Sequence, residues 1–172
     1  MGSFRRGVTR IVAAIAMLLV SACYEVGREV IPASAGVQIP EAISPITWNN
    51  GGSVQFSFVP ATRDYRFSER SADGSVHNGS VRAMPVRDNI YALQVLYDGS
   101  RNYEIYFLQV TATRVEWMSP QGNLVELGRR YAVNFTEPEN DEQWDMNRLE
   151  GNPANLLAFL RAHRELRFEK SD

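Results

Sequence analysis

Short segments in which apolar and polar residues alternate dominate residues 52–135 of the chain. In SVQFSFV, for example, Val54, Phe56 and Phe58 alternate with serine and glutamine. Successive side chains of a strand point to opposite faces, so this period predicts half-buried β-strands. Eight segments are strand candidates: Ser53–Val59, Tyr65–Glu69, Ser80–Val86, Ile90–Tyr97, Tyr103–Val110, Arg114–Ser119, Asn123–Gly128 and Tyr131–Phe135. Their regular spacing predicts a mainly β fold, an antiparallel meander of seven or eight strands in a barrel or strongly curved sheet.

Two of these segments, Ile90–Tyr97 and Tyr103–Val110, are apolar on both faces. Strands with this composition are typically central and covered on both sides. The loop DGSRN between them has a length and composition suited to a hairpin. Pro85 cannot donate a ladder hydrogen bond, so we expect it at a sheet edge or a β-bulge.

The pattern near the C-terminus predicts one α-helix over residues 153–167. Asn152 suits the N-cap, and Pro153 suits the first helical position. One broad apolar face follows at helical spacing, and it includes Leu156, Phe159 and Leu160. This face has two interpretations: it packs onto the sheet, or it is a docking surface for a partner.

The N-terminus has the organisation of a secretory signal peptide over residues 1–22. A segment with three arginines and no acid precedes the apolar run Ile11–Val20, and small residues follow. The run is too short for a membrane span, which needs about 20 apolar residues.

The sequence VSAC at 20–23 resembles the lipobox of bacterial lipoproteins. The resemblance implies that the Cys23 thiol receives a lipid and that a peptidase cleaves between Ala22 and Cys23. Tyr24 stands where an aspartate retains enterobacterial lipoproteins in the inner membrane. The implied location is therefore a lipid-anchored one, in the outer membrane and facing the periplasm.

The remaining chain predicts a tether followed by a single domain. Residues 23–47 contain three prolines and no extended strand or helix period, so they read as an extended tether with a short strand at Gly36–Ile39. Residues 48–172 then form the β domain, which we expect to fold without its lipid. Cys23 is the only cysteine, so no disulfide stabilises it.

An acidic stretch at 137–147 contains five carboxylates and no base: Glu137, Glu139, Asp141, Glu142 and Asp145. Clustered carboxylates suit calcium, but the spacing and the turn glycine of an EF-hand loop are missing. We interpret the stretch as a solvated loop and predict no metal site. The chain as a whole has a formal net charge of −2, and loss of the signal peptide removes three arginines. A nucleic-acid binder needs the opposite charge, so nucleic acid is not expected as a partner.

Catalytic motifs are sparse. His77 lies close to Asp73 and Ser75, the residue types of a hydrolytic triad, but no serine has the glycine pattern of a nucleophile elbow. The other histidine, His163, belongs to the predicted helix. No phosphate loop or dinucleotide fingerprint occurs, so no cofactor is predicted. Paired carboxylates for glycoside hydrolysis need only be close in space, and the sequence marks no particular pair.

In outline, a lipid-anchored meander with a late helix is similar to bacterial lipocalins. Their Gly-x-Trp signature has its only counterpart at Ile46–Trp48, where the glycine is missing. We therefore expect a non-enzymatic binding or assembly module for an envelope protein. The alternative is a carrier of a small apolar ligand, and a hydrolase is the third interpretation. Large aromatic side chains in the interior would exclude the carrier.

Overall fold

The computed structural model describes residues 24–39, 45–47, 51–112, 114–136 and 147–171. The strands are β1 (Tyr24–Val26), β2 (Ile46–Thr47), β3 (Ser53–Val59), β4 (Asp64–Arg70), β5 (Val76–Arg87), β6 (Ile90–Tyr97), β7 (Tyr103–Thr111), β8 (Arg114–Gln121), β9 (Asn134–Thr136), β10 (Asn147–Glu150) and β11 (Arg167–Lys170). The helices are α1 (Leu124–Arg130) and α2 (Pro153–Ala162), and short 3-10 helices lie at Ala33–Ala35 and His163–Glu165. The prediction of a mainly β fold with a C-terminal helix is confirmed. Neither described α-helix is long and apolar enough to cross a membrane.

The strands form one mixed sheet that is open rather than closed into a barrel. From β3 to β8 each strand pairs antiparallel with the next, which is the predicted meander. The edge of β7 that faces away from β6 pairs with two different strands. Its second half pairs with β8, whereas Tyr103–Ile105 pairs with β1. On its other side β1 pairs with β10 in parallel, and β10 in turn pairs with β9 in the antiparallel direction.

Two hydrophobic clusters cover the opposite faces of this sheet. Ile90, Ala92, Ile105 and Phe107 point into the first cluster, which also contains the apolar face of α2. The intervening residues of β6 and β7 point into the second cluster, whose members are Ile39, Val54, Phe67, Val81, Ala83, Tyr91, Leu93, Val95, Leu108 and Val110. The prediction that these two strands are central and covered on both sides is confirmed.

The prediction of a strand at Asn123–Gly128 is wrong, because this segment forms α1. The Asn123 side chain caps the helix by accepting a hydrogen bond from the Glu126 amide at 3.0 Å. Leu127 and Gly128 are buried. A Cβ at Gly128 would lie 2.6 Å from Phe135 Cε2, so only glycine fits at this contact.

Pro85 lies at a register shift of β5 against β6, so the predicted bulge is confirmed. The predicted C-terminal helix begins correctly, with Asn152 accepting a hydrogen bond from the Asn155 amide at 2.9 Å. It ends earlier than predicted, at Ala162. The chain then turns through the second 3-10 helix so that Arg167–Lys170 can pair with β8 as β11.

The extended tether predicted for residues 23–47 is wrong for Tyr24–Ile39. Tyr24 and Val26 have 0% exposure, because β1 is inserted between β7 and β10. Val30, Ile31 and Ile39 are also buried. The described domain therefore begins at Tyr24 rather than at residue 48.

Buried polar groups hold this N-terminal segment against the sheet. The Gln94 side-chain oxygen accepts hydrogen bonds from the backbone amides of Val30 and Ile31 at 2.6 and 2.8 Å. Arg82 donates to the Ile31 carbonyl at 2.8 Å and to Glu29 Oε1 at 2.7 Å. Gln94 and Arg82 lie on β6 and β5, so the segment is attached to the centre of the meander. The predicted strand at Gly36–Ile39 does not form, although the Val37 amide donates to the Ala83 carbonyl at 2.9 Å.

Candidate functional site

One face of the sheet carries a group of carboxylates and aromatic rings that we call the aromatic–carboxylate face. Strand alternation brings its side chains together from β1, β4, β6, β7 and β8. All of them lie at or beside the second hydrophobic cluster. The members of the face are Glu25, Glu69, Tyr97, Glu104, Tyr106 and Trp117.

Both tyrosines of this face lie close to glutamates. The Tyr106 hydroxyl donates to Glu104 Oε2, and Tyr97 lies near the carboxylates of Glu69 and Glu104. Burial raises the pKa of both tyrosines, and the neighbouring carboxylates add to the effect. Both hydroxyls therefore remain protonated donors at neutral pH.

Like charges meet directly on this face. Glu25 of β1 is the cross-strand partner of Glu104 of β7, and carboxylates placed opposite each other repel. Burial raises the pKa of Glu104; the hydrogen bond from Tyr106 offsets part of this rise, and the charges of Glu25 and Glu69 add to it. Asn102 donates to Glu25 Oε1 at 2.8 Å. None of the ion pairs found among the described residues includes these three glutamates.

The aromatic rings of the face are half-buried, so part of each remains exposed. Tyr106 and Trp117 contact each other with ring centroids 5.4 Å apart. Such rings combine a large apolar surface with a polar hydroxyl or indole N–H. The face therefore offers both apolar contact area and hydrogen-bonding groups.

A second surface feature is an open groove of about 560 Å³ beside β11. Four charged side chains line it: Arg87, Asp88, Glu165 and Arg167. Arg87 also donates to the Leu166 carbonyl at 3.0 Å, which ties the end of β5 to the segment before β11. Each of these charges already has an ion-pair partner within the chain, and apolar side chains that include Phe168 complete the lining, so the groove suits a partner with polar and apolar groups.

The helix residues singled out from the sequence lie inside the domain. Leu156, Phe159 and Leu160 are 1%, 0% and 1% exposed and belong to the first hydrophobic cluster. Of the two interpretations, packing is the arrangement in the structure, and these side chains are not available for docking. Cys23 and Ala22 lie outside the described residues.

The triad residue types form a surface turn. Ser75 Oγ donates to Asp73 Oδ1 at 2.7 Å and lies 3.4 Å from His77 Nε2. In a catalytic triad the carboxylate contacts the histidine, but here Asp73 binds the serine. Hydrogen bonds from the Ser75 amide and hydroxyl lower the pKa of Asp73. This arrangement is that of an exposed polar turn.

No grouping of His, Cys, Asp or Glu in the described part of the chain is placed to hold a metal ion. The acidic stretch predicted as a solvated loop lies outside the described residues, except for Asn147 at its end.

The aromatic–carboxylate face was not predicted from the sequence. Its glutamates are 35 positions or more apart from one another in the chain, and only strand register brings them together. The available signal was limited to Glu25 and Glu104, each of which stands in a largely apolar segment, whereas the strand that carries Glu69 has several other polar residues. Comparisons of the chain with protein-family models, with curated proteins and with solved structures found no match.

Proposed function

We propose that this chain is an exported bacterial lipoprotein whose β domain is a non-enzymatic binding or assembly module. In this proposal Cys23 is acylated, cleavage follows Ala22, and the lipid holds the domain on the outer membrane, facing the periplasm. The support is the order of the N-terminal features: a basic head, an apolar run and the VSAC sequence.

The binding role is supported by a filled interior together with an open groove on the surface. Large side chains such as Phe107, Phe67 and Tyr91 are buried in the two clusters that cover the sheet, so side chains fill the described interior, in which an apolar ligand would have to bind. The groove beside β11 is open, and four of its nine lining side chains are charged. A polar macromolecular surface fits these features better than a small apolar ligand does.

Fractionation of cells tests the lipid attachment. Wild-type chain should partition with membranes, incorporate labelled fatty acid and lose residues 1–22. Cys23→Ser should lose the label and remain unprocessed. Fatty-acid labelling of the Cys23→Ser chain at the wild-type level would contradict the proposal.

An apolar dye tests the choice between binding module and carrier. N-phenyl-1-naphthylamine fluoresces when it enters an apolar cavity, and we expect no saturable signal with the purified chain. Saturable one-to-one binding would instead favour the carrier.

Site-specific photo-crosslinking tests the groove. A photoreactive residue replacing Arg167 should give a discrete adduct in intact cells, because Arg167 lines the groove. The same residue replacing Val125 serves as the control, since Val125 is 50% exposed on α1 and lies outside the groove. The absence of an adduct at position 167 would count against a groove partner.

A further inference from the structure

The site of lipid attachment is next to a buried strand. Tyr24 is the first residue of β1, pairs with Ile105 and Asn147 on its two sides and has 0% exposure. Adjacent Cα atoms are about 3.8 Å apart, so Cys23 is within that distance of the core strand. The tether predicted from the sequence would instead have allowed up to about 80 Å, at about 3.3 Å for each of its residues.

This junction determines which surface is near the lipid. Tyr24 pairs with Ile105, and the next residue of β7 is Tyr106, whose ring contacts Trp117. Tyr and Trp rings are enriched at the membrane–water interface, where one side of the ring is apolar and the other is wet. The aromatic–carboxylate face therefore has interfacial side chains close to the point of attachment.

We propose that the aromatic–carboxylate face rests on the bilayer surface and that the direct junction at Cys23 holds it there. The inference depends on the proposed lipid attachment. The three glutamates of the aromatic–carboxylate face limit how deeply it enters the membrane, because placing an ionised carboxylate in hydrocarbon costs too much free energy. Tyr106 and Trp117 therefore lie among the lipid headgroups rather than among the acyl chains.

Fluorescence of Trp117 tests this placement in the full lipoprotein. Trp48→Phe together with Trp144→Phe leaves Trp117 as the only tryptophan. The purified chain is reconstituted in phosphatidylethanolamine–phosphatidylcholine vesicles that carry a nitroxide on the headgroup or at the middle of the acyl chain. We expect a large loss of Trp117 fluorescence with the headgroup quencher and a small loss with the mid-chain quencher.

The control inserts about ten Gly and Ser residues between Cys23 and Tyr24, a flexible spacer with a root-mean-square span of about 18 Å. It leaves the lipid and the fold in place, so headgroup quenching should fall. The absence of headgroup quenching without the spacer would overturn the proposal. Equal quenching with and without the spacer would also overturn it, as would stronger quenching from the mid-chain position.

Mass spectrometry separates this result from failure of the lipid attachment itself. If the purified chain carries no acyl group, the proposed attachment is refuted. A maleimide-bearing phospholipid coupled to Cys23, the only cysteine of the chain, then supplies the anchor. The same quenching pattern is expected, and its absence would refute the contact between this face and the membrane.

Discussion

The Tyr24 hydroxyl donates a hydrogen bond to His163 Nε2 across 2.8 Å, joining β1 to the segment after α2. The other ring nitrogen, Nδ1, donates to the Phe159 carbonyl at 2.9 Å, and this assigns Nε2 as the acceptor. The imidazole is stacked on Phe107 and has 0% exposure. The pair thus connects the two ends of the described chain inside the first hydrophobic cluster.

Replacing Tyr24 with phenylalanine should lower the free energy of unfolding by about 1–3 kcal/mol, because Nε2 of the buried histidine loses its donor. Chemical denaturation of the two chains measures the difference. Tyr103→Phe is the matched control, since the described residues provide no hydrogen bond to the Tyr103 hydroxyl. A Tyr24→Phe chain as stable as the control would show that the bond contributes little.

Stability should decrease as the pH falls from about 6.5 to about 4 because of His163. Burial lowers the pKa of His163 to about 4, whereas an unfolded histidine has a pKa of about 6.5. In this interval the unfolded chain binds the proton and the folded chain does not. The histidine therefore removes roughly 3 kcal/mol of stability as the pH falls through the interval, and nothing more below it.

Denaturation at pH 7 and pH 4.5 checks this dependence. His163→Gln keeps a donor and an acceptor but cannot take the proton, so its loss of stability between the two values should be smaller. His77→Gln, on the exposed end of β5, should lose as much as the wild type. Equal losses in all three chains would assign the pH dependence to other groups.

The start of the folded domain gives a third prediction. A chain beginning at Ala35 lacks β1 and four core side chains, those of Tyr24, Val26, Val30 and Ile31. It also leaves the buried Gln94 side chain without its two amide donors. We expect it to be unfolded or aggregated, whereas a chain beginning at Cys23 should give a β-type circular dichroism spectrum. Cooperative unfolding of the shorter chain would refute this boundary.

The meander could be predicted from the sequence because each of its strands pairs with the next strand along the chain. β6 and β7 are joined by a five-residue loop, and their apolar residues on both faces anticipated the two clusters. β1 could not be predicted in this way. Its three residues pair with Tyr103–Ile105 and Asn147–Leu149, about 80 and 120 positions further along the chain. A three-residue strand has no period, so long-range pairing alone defines it.

The error at α1 had a signal that could have prevented it. Leu124 and Leu127 are three positions apart, a spacing typical of a helix, and Asn123 followed by Glu126 at the third helical position resembles a capping box. The aromatic–carboxylate face had no comparable signal. The proximity of Glu69, Glu104 and Glu25 depends on the registers of five strands, which local composition does not encode.

A fourth prediction concerns the packing of α2. Phe159 has 0% exposure and contacts the rings of Tyr24, Phe135 and His163. Phe159→Ala should lower the free energy of unfolding by about 3–5 kcal/mol, because it leaves a cavity among these rings. Arg161→Ala is the control on the exposed side of the same helix and should change stability by about 0.5 kcal/mol or less. Similar melting temperatures for the two variants would contradict the packing described for α2.

The last prediction is a gain of stability at the aromatic–carboxylate face. Glu104 lies opposite Glu25 and near Glu69, and burial together with these charges raises its pKa. Glu104→Gln keeps an oxygen acceptor for the Tyr106 hydroxyl but removes the repulsion. At pH 7 it should therefore raise the free energy of unfolding by about 0.2–1 kcal/mol.

The size of this effect depends on pH. A raised carboxyl pKa means that the folded chain takes up the proton before the unfolded chain does. The repulsion is then relieved on acidification, and the advantage of Glu104→Gln should shrink as the pH falls towards 4.5. Glu116→Gln is the matched control on β8, because Glu116 pairs with Arg114 and Lys170 at 3.5 and 3.4 Å and should lose a little stability or none. A Glu104→Gln chain less stable than wild type at pH 7 would show that the carboxylate is held favourably and that the face is not under electrostatic strain.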